Sequence, residues 1–527
     1  AVTSHLRRMG ESRKGAYEKC LEECHTTSAT EGPFTAEEVT RILGPSWVPM
    51  PRFCVESGRA VDNGSIYGQN ATVGVPWKLA LGGVDEIAAL GVSWLKAVRE
   101  DRCVRIVLSD GGVLEGRLHF SWTVAEARRL MGRLGDMRGA YKQFAAFPGH
   151  TWAAVVAAWN DEIDAPAFFI PLTLLFGESA AVFGFNRVSR FVNVVLCRGL
   201  SLVVSGYYDD FSQIEAARLA ASAEACFKRL FELLGLDLAL DDHKDKRFAR
   251  VFSPLGVDID FTESGQGVVK VQPKQSRVSK VIEVGCAALG CDLLSVADAR
   301  SLAGVLRYLR EGHFGRTGAS VLNALSEHIK MGGEGGMPRG LREGLEWTIA
   351  YLPVAPPRRI NAMSASSVLH IFTDGAVDPG RVTVGAVMFD AGSPPEAFGV
   401  EVPEWLVKRW APHGGEQVIA QAELLPVLLS LLLWRERLRD RYILWWMDND
   451  GSRQALVNGY SRSWKNAALV DDIIMAMSLC CMYSWFARVP TECNMGDMPS
   501  RLEWDKLKAL VPGVVVRAIE DSMWNRV

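Results

Sequence analysis

The chain has 527 residues, 48% of them hydrophobic, with 58 basic and 61 acidic side chains for a formal net charge of −3. That length calls for several domains, and that apolar content excludes a largely disordered protein. A balance this close to neutral is not the footprint of a general nucleic-acid binder, so any such contact needs a local basic cleft and should be sensitive to salt.

The first 45 residues are polar and charged, with a helix predicted over Ala36 to Leu43 and Thr35 as its N-cap. The opening residue is Ala1 rather than Met, as expected of a segment of a longer product such as a processed polyprotein. Cys20-x-x-x-Cys24-His25 has half of a zinc-site spacing, but no second pair follows nearby, so free thiols are expected. Residues 46 to 130 read as short strands and Gly-rich turns, with a helix over Asp85 to Val98. Cys103 to Leu108 and Val113 to Phe120 form a predicted hairpin around Ser109-Asp110-Gly111-Gly112.

Acids then arrive in two places. Asp136 ends a short segment, and Tyr141 follows five positions later. Tyr207-Tyr208-Asp209-Asp210 comes after the apolar run Leu202-Val203-Val204, which predicts a strand, a tight turn holding the acids, and a return from Phe211. A polar turn with solvated carboxylates has the same local sequence. Like charges held together out of water need neutralising, and a pair of divalent ions does this where phosphoryl groups are transferred. Beyond the turn, Ile214, Ala217, Leu219, Ala223, Phe227, Leu230 and Leu234 predict one amphipathic helix over Ser212 to Leu234.

Lys244 and Lys246 stand in a charged loop. Basic stretches suited to a cleft are Lys244 to Arg250, Lys270 to Lys280 and Arg307 to Arg316. Leu302-Ala303-Gly304-Val305-Leu306 opens a helix, Met331 to Gly340 is Gly-rich, and Pro353 to Arg359 reads as a linker.

The last third holds a second set of acids. His370 to Ala376 is a β-rich run carrying Asp374, and Val382 to Phe389 is its hairpin partner. A helix over Gln417 to Arg437 carries Glu423, with Pro426 expected to kink or divide it. The buried strand Tyr442 to Met447 ends at Asp448-Asn449-Asp450. Cys480-Cys481 falls in a predicted helix, and Asn494-Met495-Gly496-Asp497-Met498-Pro499-Ser500-Arg501 brings Asp497.

Taken in order, these stretches resemble a reverse transcriptase. Asp136 with Tyr141 resembles motif A (D-x-x-x-A-Y), and Tyr207 to Asp210 resembles motif C (Y-x-D-D). Between them, Phe176-Gly177-Glu178-Ser179 through Phe185-Asn186-Arg187 resembles motif B. Upstream, Pro51-Arg52-Phe53, Arg59 to Asn63 and Asn70 resemble the fingers segment; downstream, Lys244, Lys246 and Phe252 to Val257 resemble motif D and the primer grip. Five ordered motifs over about 200 residues are far more specific than any one.

The resemblance implies that Asp136 and Asp209 hold two Mg²⁺ ions, with Asp210 beside them as a weaker ligand. It also implies that Tyr141 walls off the ribose 2′ side, and that Phe176 and Gly177 pack under template and nucleotide. Arg59 would pair with nucleotide phosphates, and Lys244 or Lys246 would protonate the leaving pyrophosphate. Tyr141 as plain core and the two lysines as a solvated loop stay open beside those roles.

The C-terminal order of strand, hairpin, helix and strand, with Asp374, Glu423, Asp448 and Asp497, resembles ribonuclease H. In that family four carboxylates converge on two Mg²⁺ ions, with Mn²⁺ as a substitute, and the RNA of an RNA–DNA hybrid is hydrolysed. One departure is that no His lies between Asp448 and Asp497, where many members carry one; His413 precedes Glu423 instead.

Together the two resemblances imply an α/β (α+β) protein with a right-hand polymerase fold followed by a ribonuclease H-like domain. The expected boundaries are an N-terminal segment 1–45, fingers and palm 46–262, thumb and connection 263–352, a linker 353–365, the nuclease-like domain 366–510, and a C-terminal segment 511–527. The form of motif B is most similar to retrotransposon polyproteins of the DIRS-like or tyrosine-recombinase group. Implied partners are an RNA template, a DNA primer, the RNA–DNA hybrid, deoxynucleoside triphosphates and other segments of a polyprotein. A decayed or domesticated copy that binds nucleic acid without catalysis is the alternative.

Eleven cysteines without paired spacing predict a reducing compartment, cytoplasm or nucleus. No signal peptide is visible, and no continuous apolar run reaches the roughly 18 residues that span a bilayer.

Overall fold

The computed structural model describes residues 2–55, 58–74, 78–79, 81–240, 246–313, 317–333, 336–363, 367–411, 417–461 and 463–525. Lys244, Arg316 and His413 lie outside the described residues. Among those described, the chain is a mixed α/β protein with five sheets. Residues 1–90 with 130–249 form one compact unit, and 91–129 with 250–527 form another.

In the first unit, the helix Ala36–Leu43 starts as expected. Thr35 accepts from Glu38 N, and Glu38 returns the bond to Thr35 N, a complete capping box. A five-stranded sheet runs Thr30–Phe34, Ala165–Pro171, Val155–Asn160, Pro49–Cys54, Ala60–Asp62. Beside it in sequence is an antiparallel three-stranded sheet in the order Leu130–Asp136, Asp210–Ala216, Val203–Tyr207.

That small sheet corrects the helix expected over Ser212 to Leu234. Asp210–Ala216 is its central strand, and the helix is Ala220–Leu234. The strand is buried on both faces, so it shows no alternation, and Gln213 and Glu215 mimic the polar side of a helix. Gln213 is inside because Arg133 Nη1 donates to its Oε1 at 2.9 Å. The helices Ser179–Val194 and Ala220–Leu234 pack Phe185, Val192, Phe227 and Phe231 around Phe211 of the sheet.

By length and composition Ser179–Gly199 is long and apolar enough to cross a membrane, the one such helix among the described residues. Its sequence is not a continuous apolar run, because Asn186, Arg187 and Arg190 interrupt it. Here its Phe185, Val192 and Leu196 are fully buried against the sheet.

The second unit contains the predicted hairpin, Cys103–Val107 with Val113–Arg117. It also contains an antiparallel sheet of Val251–Phe252, Val257–Asp260, Val268–Pro273 and Arg358–Asn361. Part of the stretch read as a linker is therefore a strand: Arg358 to Asn361 pair with Val271 to Val268. Four helices follow in a bundle, Gln275–Cys291, Val296–Leu309, Ala319–Lys330 and Arg339–Tyr351, sharing one apolar core. Leu302 lies inside Val296–Leu309 rather than opening it, because Ser295 caps that helix through Asp298 N at 3.0 Å.

Last comes a six-stranded sheet. Its order is Tyr483–Arg488, Tyr442–Met447, Leu369–Asp378, Arg381–Phe389, Glu396–Glu401, Val515–Val516. The three strands from Leu369 to Glu401 are antiparallel neighbours, while Tyr442–Met447 and Tyr483–Arg488 run parallel to the first. The helix Ile419–Leu433 is buried on nearly every side against this sheet. Pro426 does not divide it; the break comes at Trp434. Val515 and Val516 of the C-terminal segment also join this assembly by pairing with the sheet, and Trp524 sits in its core. Cys480 caps the helix Trp464–Leu479 instead of lying within it, and Cys481 follows with φ of 52°.

Candidate functional site

Asp374 lies in the middle of the Leu369–Asp378 strand, which is paired on both sides. Glu423 lies in the second turn of the buried helix. The two come together because Gly375 has no side chain. A Cβ there would stand 2.4 Å from both the carbonyl carbon and oxygen of Ala422. Pro426, four residues on, has no N–H to give that carbonyl, so helix and strand meet backbone to backbone.

Asp448 ends the neighbouring parallel strand. Asn449 then turns the chain into the helix Asp450–Asn458 by accepting from Ser452 N at 3.0 Å. Asp374, Glu423 and Asp448 each present an oxygen within 4.8 Å of the others. Among the described residues this is the one group of three or more acids, histidines or cysteines that closes so tightly.

The electrostatics of the triad are those of crowded, buried acids. Burial, then Asp374 and Asp448, push Glu423 up to about 9. Burial pushes Asp374 up to about 6; Asp448 and Asp497 add to this, and a hydrogen bond from Ser500 opposes it. Glu423 Oε2 is buried with no hydrogen-bond partner among the described atoms. A set of three carboxylates with an orphaned oxygen suits a hard divalent cation such as Mg²⁺.

The fourth acid is placed differently. Asp497 begins the short helix Asp497–Ser500, and its Oδ1 pairs with Arg501 Nε at 2.8 Å. It influences Asp374 electrostatically but is not a member of the tight triad. That helix is seated by glycines in the strands beneath it. A Cβ on Gly385 would meet Ser500 N at 2.3 Å, and one on Gly399 would meet Pro499 O at 2.2 Å. Ser500 and Asn494 were not singled out as functional from the sequence, although both stand in the stretch that carries Asp497. Ser500 Oγ donates to Asp374 Oδ2 at 2.5 Å, and Asn494 Nδ2 donates to Thr373 O at 3.1 Å.

The other acids lie in the first unit. Asp209 and Tyr208 form the turn of the hairpin, and Tyr208 takes the left-handed φ of 52°. Non-glycine residues carry a cost there, and such strain concentrates at functional turns. Ser189 Oγ holds the turn by donating to Tyr208 O at 2.5 Å. Asp136 is the register partner of Asp210, and Met137 N donates to Asp209 O at 3.2 Å. The acids read as distant in sequence are thus neighbours across two strands.

Tyr141 stacks on Phe185 at 4.7 Å and meets Phe176 edge-on at 5.8 Å. Burial, then Asp209, push its phenol up to about 12. The Arg59 guanidinium lies over the Phe176 ring, 3.9 Å from its centroid. Gly177 has φ of 115°, and a Cβ on it would stand 2.0 Å from Asp62 O. Asn70 Nδ2 donates to Gly177 O at 3.0 Å, and Asp62 N donates to Phe176 O at 2.9 Å. So Asp136, Asp209, Asp210, Tyr141, Phe176, Gly177 and Arg59 belong to one locality.

Two expectations fall outside these sites. Lys246 is exposed, and no contact ties it to the hairpin acids among the described residues. Cys20 is fully buried, and burial pushes its thiol up to about 12.

No protein-family model matches the chain, and no curated protein matches it. Among solved structures, ribonuclease H1 from the halophilic archaeon Halobacterium salinarum NRC-1 aligns with 27% of this chain and 99% of its own, at 18% identity and a TM-score of 0.21.

Proposed function

We propose that the C-terminal part of the chain is a metal-dependent nuclease that cuts the RNA strand of an RNA–DNA hybrid. The observation that carries this reading is the closure of Asp374, Glu423 and Asp448 to within 4.8 Å. The elements that deliver them are a strand in a hairpin, a helix and a parallel strand, the order that the resemblance to ribonuclease H requires.

Asp374, Glu423 and Asp448 are the residues to hold Mg²⁺, with Asp497 at the margin to complete a second position. When bound, the cation activates water and neutralises charge on the phosphate that is attacked. The chain's own groups do the rest. Ser500 fixes the rotamer of Asp374 and keeps its charged form accessible. Asn449 fixes where the Asp448 strand ends. Arg501 holds Asp497 ready at the rim.

The first unit supports a companion activity, RNA-directed DNA polymerisation, on a specific observation. Asp136 and Asp209–Asp210 meet across a strained two-residue turn, with an aromatic wall and an arginine alongside. Asp136 and Asp209 would bind Mg²⁺, and Tyr141 would select deoxynucleotides. The two activities suit one chain because one makes the hybrid that the other consumes. In this reading the chain is part of a retroelement polyprotein.

The test uses the full chain with Mg²⁺. Cleavage of a labelled RNA–DNA hybrid should be lost in Asp374→Asn and Glu423→Gln and kept in Asp209→Asn. Primer extension on an RNA template should show the reverse pattern. A wild-type chain that binds hybrid but neither extends nor cleaves would mean a non-catalytic, domesticated copy.

A further inference from the structure

The six-stranded sheet carries a row of aromatics that neither proposed activity uses. Ile371, Ile443, Trp445, Met447 and Phe486 point into the core beneath the Glu423 helix. Strand alternation sends His370, Phe372, Leu444, Trp446 and Trp485 to the other face. Their register is direct: His370 opposes Leu444, Phe372 opposes Trp446, and Leu444 opposes Trp485.

These side chains are held in place and only partly covered. The Trp446 ring lies nearly parallel to His370 (14°, 6.2 Å) and to Phe372 (13°, 5.7 Å), and its Nε1 donates to His370 Nδ1 at 3.1 Å. All three are only half-buried. Trp485, at the outer edge, is 73% exposed, and no ring packs on it among the described residues. Aromatic stripes are usually core, and an uncovered row of this kind marks a contact surface.

Two features of this face indicate what it contacts. The same alternation carried two residues further along each strand reaches Asp374 and Asp448, so the row leads to the carboxylate triad. At that end Arg488 is 67% exposed and reaches Asp450 at 3.3 Å, a cation next to where phosphates would pass. Unpaired bases stack on indole and imidazole whatever their identity, whereas the bases of a duplex are already stacked.

We infer that this face is a stacking platform for the single-stranded continuation of a hybrid whose duplex part occupies the carboxylate site. The inference rests on the nuclease reading for its location. It adds a preference for hybrids with an unpaired extension, sensed through Trp485.

The experiment measures binding of the full chain, without added metal, to a blunt RNA–DNA hybrid and to hybrids with an RNA or a DNA overhang at either end. Wild type should bind at least one overhang hybrid roughly 10-fold more tightly than the blunt one, the scale of one stacked base. Trp485→Ala should bring that ratio close to one, and Trp485→Phe should keep most of it. Trp405→Ala, which removes a tryptophan 51% exposed on a helix away from this face, should leave the ratio intact. Equal binding of all hybrids by wild type, or a ratio retained in Trp485→Ala, overturns the platform. Mg²⁺-dependent cleavage of the blunt hybrid by wild type is scored separately, so failure of the nuclease reading is told apart from failure of the platform.

Discussion

Ser500 donates its hydroxyl to Asp374 Oδ2 at 2.5 Å although 126 residues separate the two in sequence. This bond pulls the Asp374 carboxyl down while burial pushes it up to about 6. A hydrogen bond to a charged group is worth roughly 1.5–3 kcal/mol. Ser500→Ala should therefore move the acidic limb of the pH–rate profile for hybrid cleavage upward by about one to two pH units. An unmoved limb with lower activity throughout would assign Ser500 to packing alone.

Glu423 gives a stability prediction whose sign can be worked out. Its carboxyl is raised from 4.5 to about 9 in the folded chain, mainly by burial. The folded state then binds the proton more tightly than the unfolded chain. Stability from this group is full below pH 4.5 and is lost as pH rises through about 9. In EDTA, Glu423→Gln should lose less melting temperature than wild type between pH 5 and 9. In Mg²⁺ the order should reverse, because only wild type gains stability from the cation. Melting curves with and without Mg²⁺ across this range check both halves.

Asp136, Asp374 and Asp448 were legible in the sequence because each ends or interrupts an apolar strand. What places them precisely in space was not. Ser500 and Asn494 act across more than a hundred residues, and no local spacing signals that. The helix predicted from Ser212 failed because a strand buried on both faces has no alternation to read, and the Oε1 of its Gln213 is bonded by Arg133, a partner 80 residues away. Pro426 was expected to break its helix. It is tolerated because the carbonyl it leaves unbonded lies against Gly375 of the adjoining strand. Arg358 to Asn361 looked like linker because three prolines, Pro353, Pro356 and Pro357, precede it, while its pairing with Val268 to Val271 is a long-range fact.

Gly375 supplies a direct test of how the triad is assembled. Any Cβ at this position meets the Ala422 carbonyl at 2.4 Å, and both partners are backbone, so neither can swing aside. Overpacking of this kind costs typically about 1–3 kcal/mol. Gly375→Ala should lower the melting temperature and push the Glu423 helix off the strand, so the Mg²⁺-induced rise in melting temperature should shrink as well. A variant with normal stability and normal Mg²⁺ response would show that helix and strand need not approach so closely.

In the first unit, the corresponding support is the pair of Arg52 and Asp62. Both side chains are about 1–3% exposed, and they meet through two bonds of 2.8 and 3.1 Å. Arg52 also reaches Glu23 Oε2 at 2.7 Å, which Lys142 shares at 3.0 Å. Asp62 in turn fixes the turn at Phe176 and Gly177 through its backbone. Removing one member leaves the other charge buried and unpaired, at a cost of roughly 3–5 kcal/mol. Arg52→Ala should therefore destabilise the chain severely and abolish primer extension, because the Phe176 turn under Arg59 loses its anchor. Replacing the pair together, as Arg52→Met with Asp62→Leu, removes both charges and keeps the Asp62 backbone bonds in place. The double variant should melt well above Arg52→Ala and recover part of the extension activity. If it melts no higher than the single variant, the salt bridge is contributing its own attraction and the turn depends on it directly.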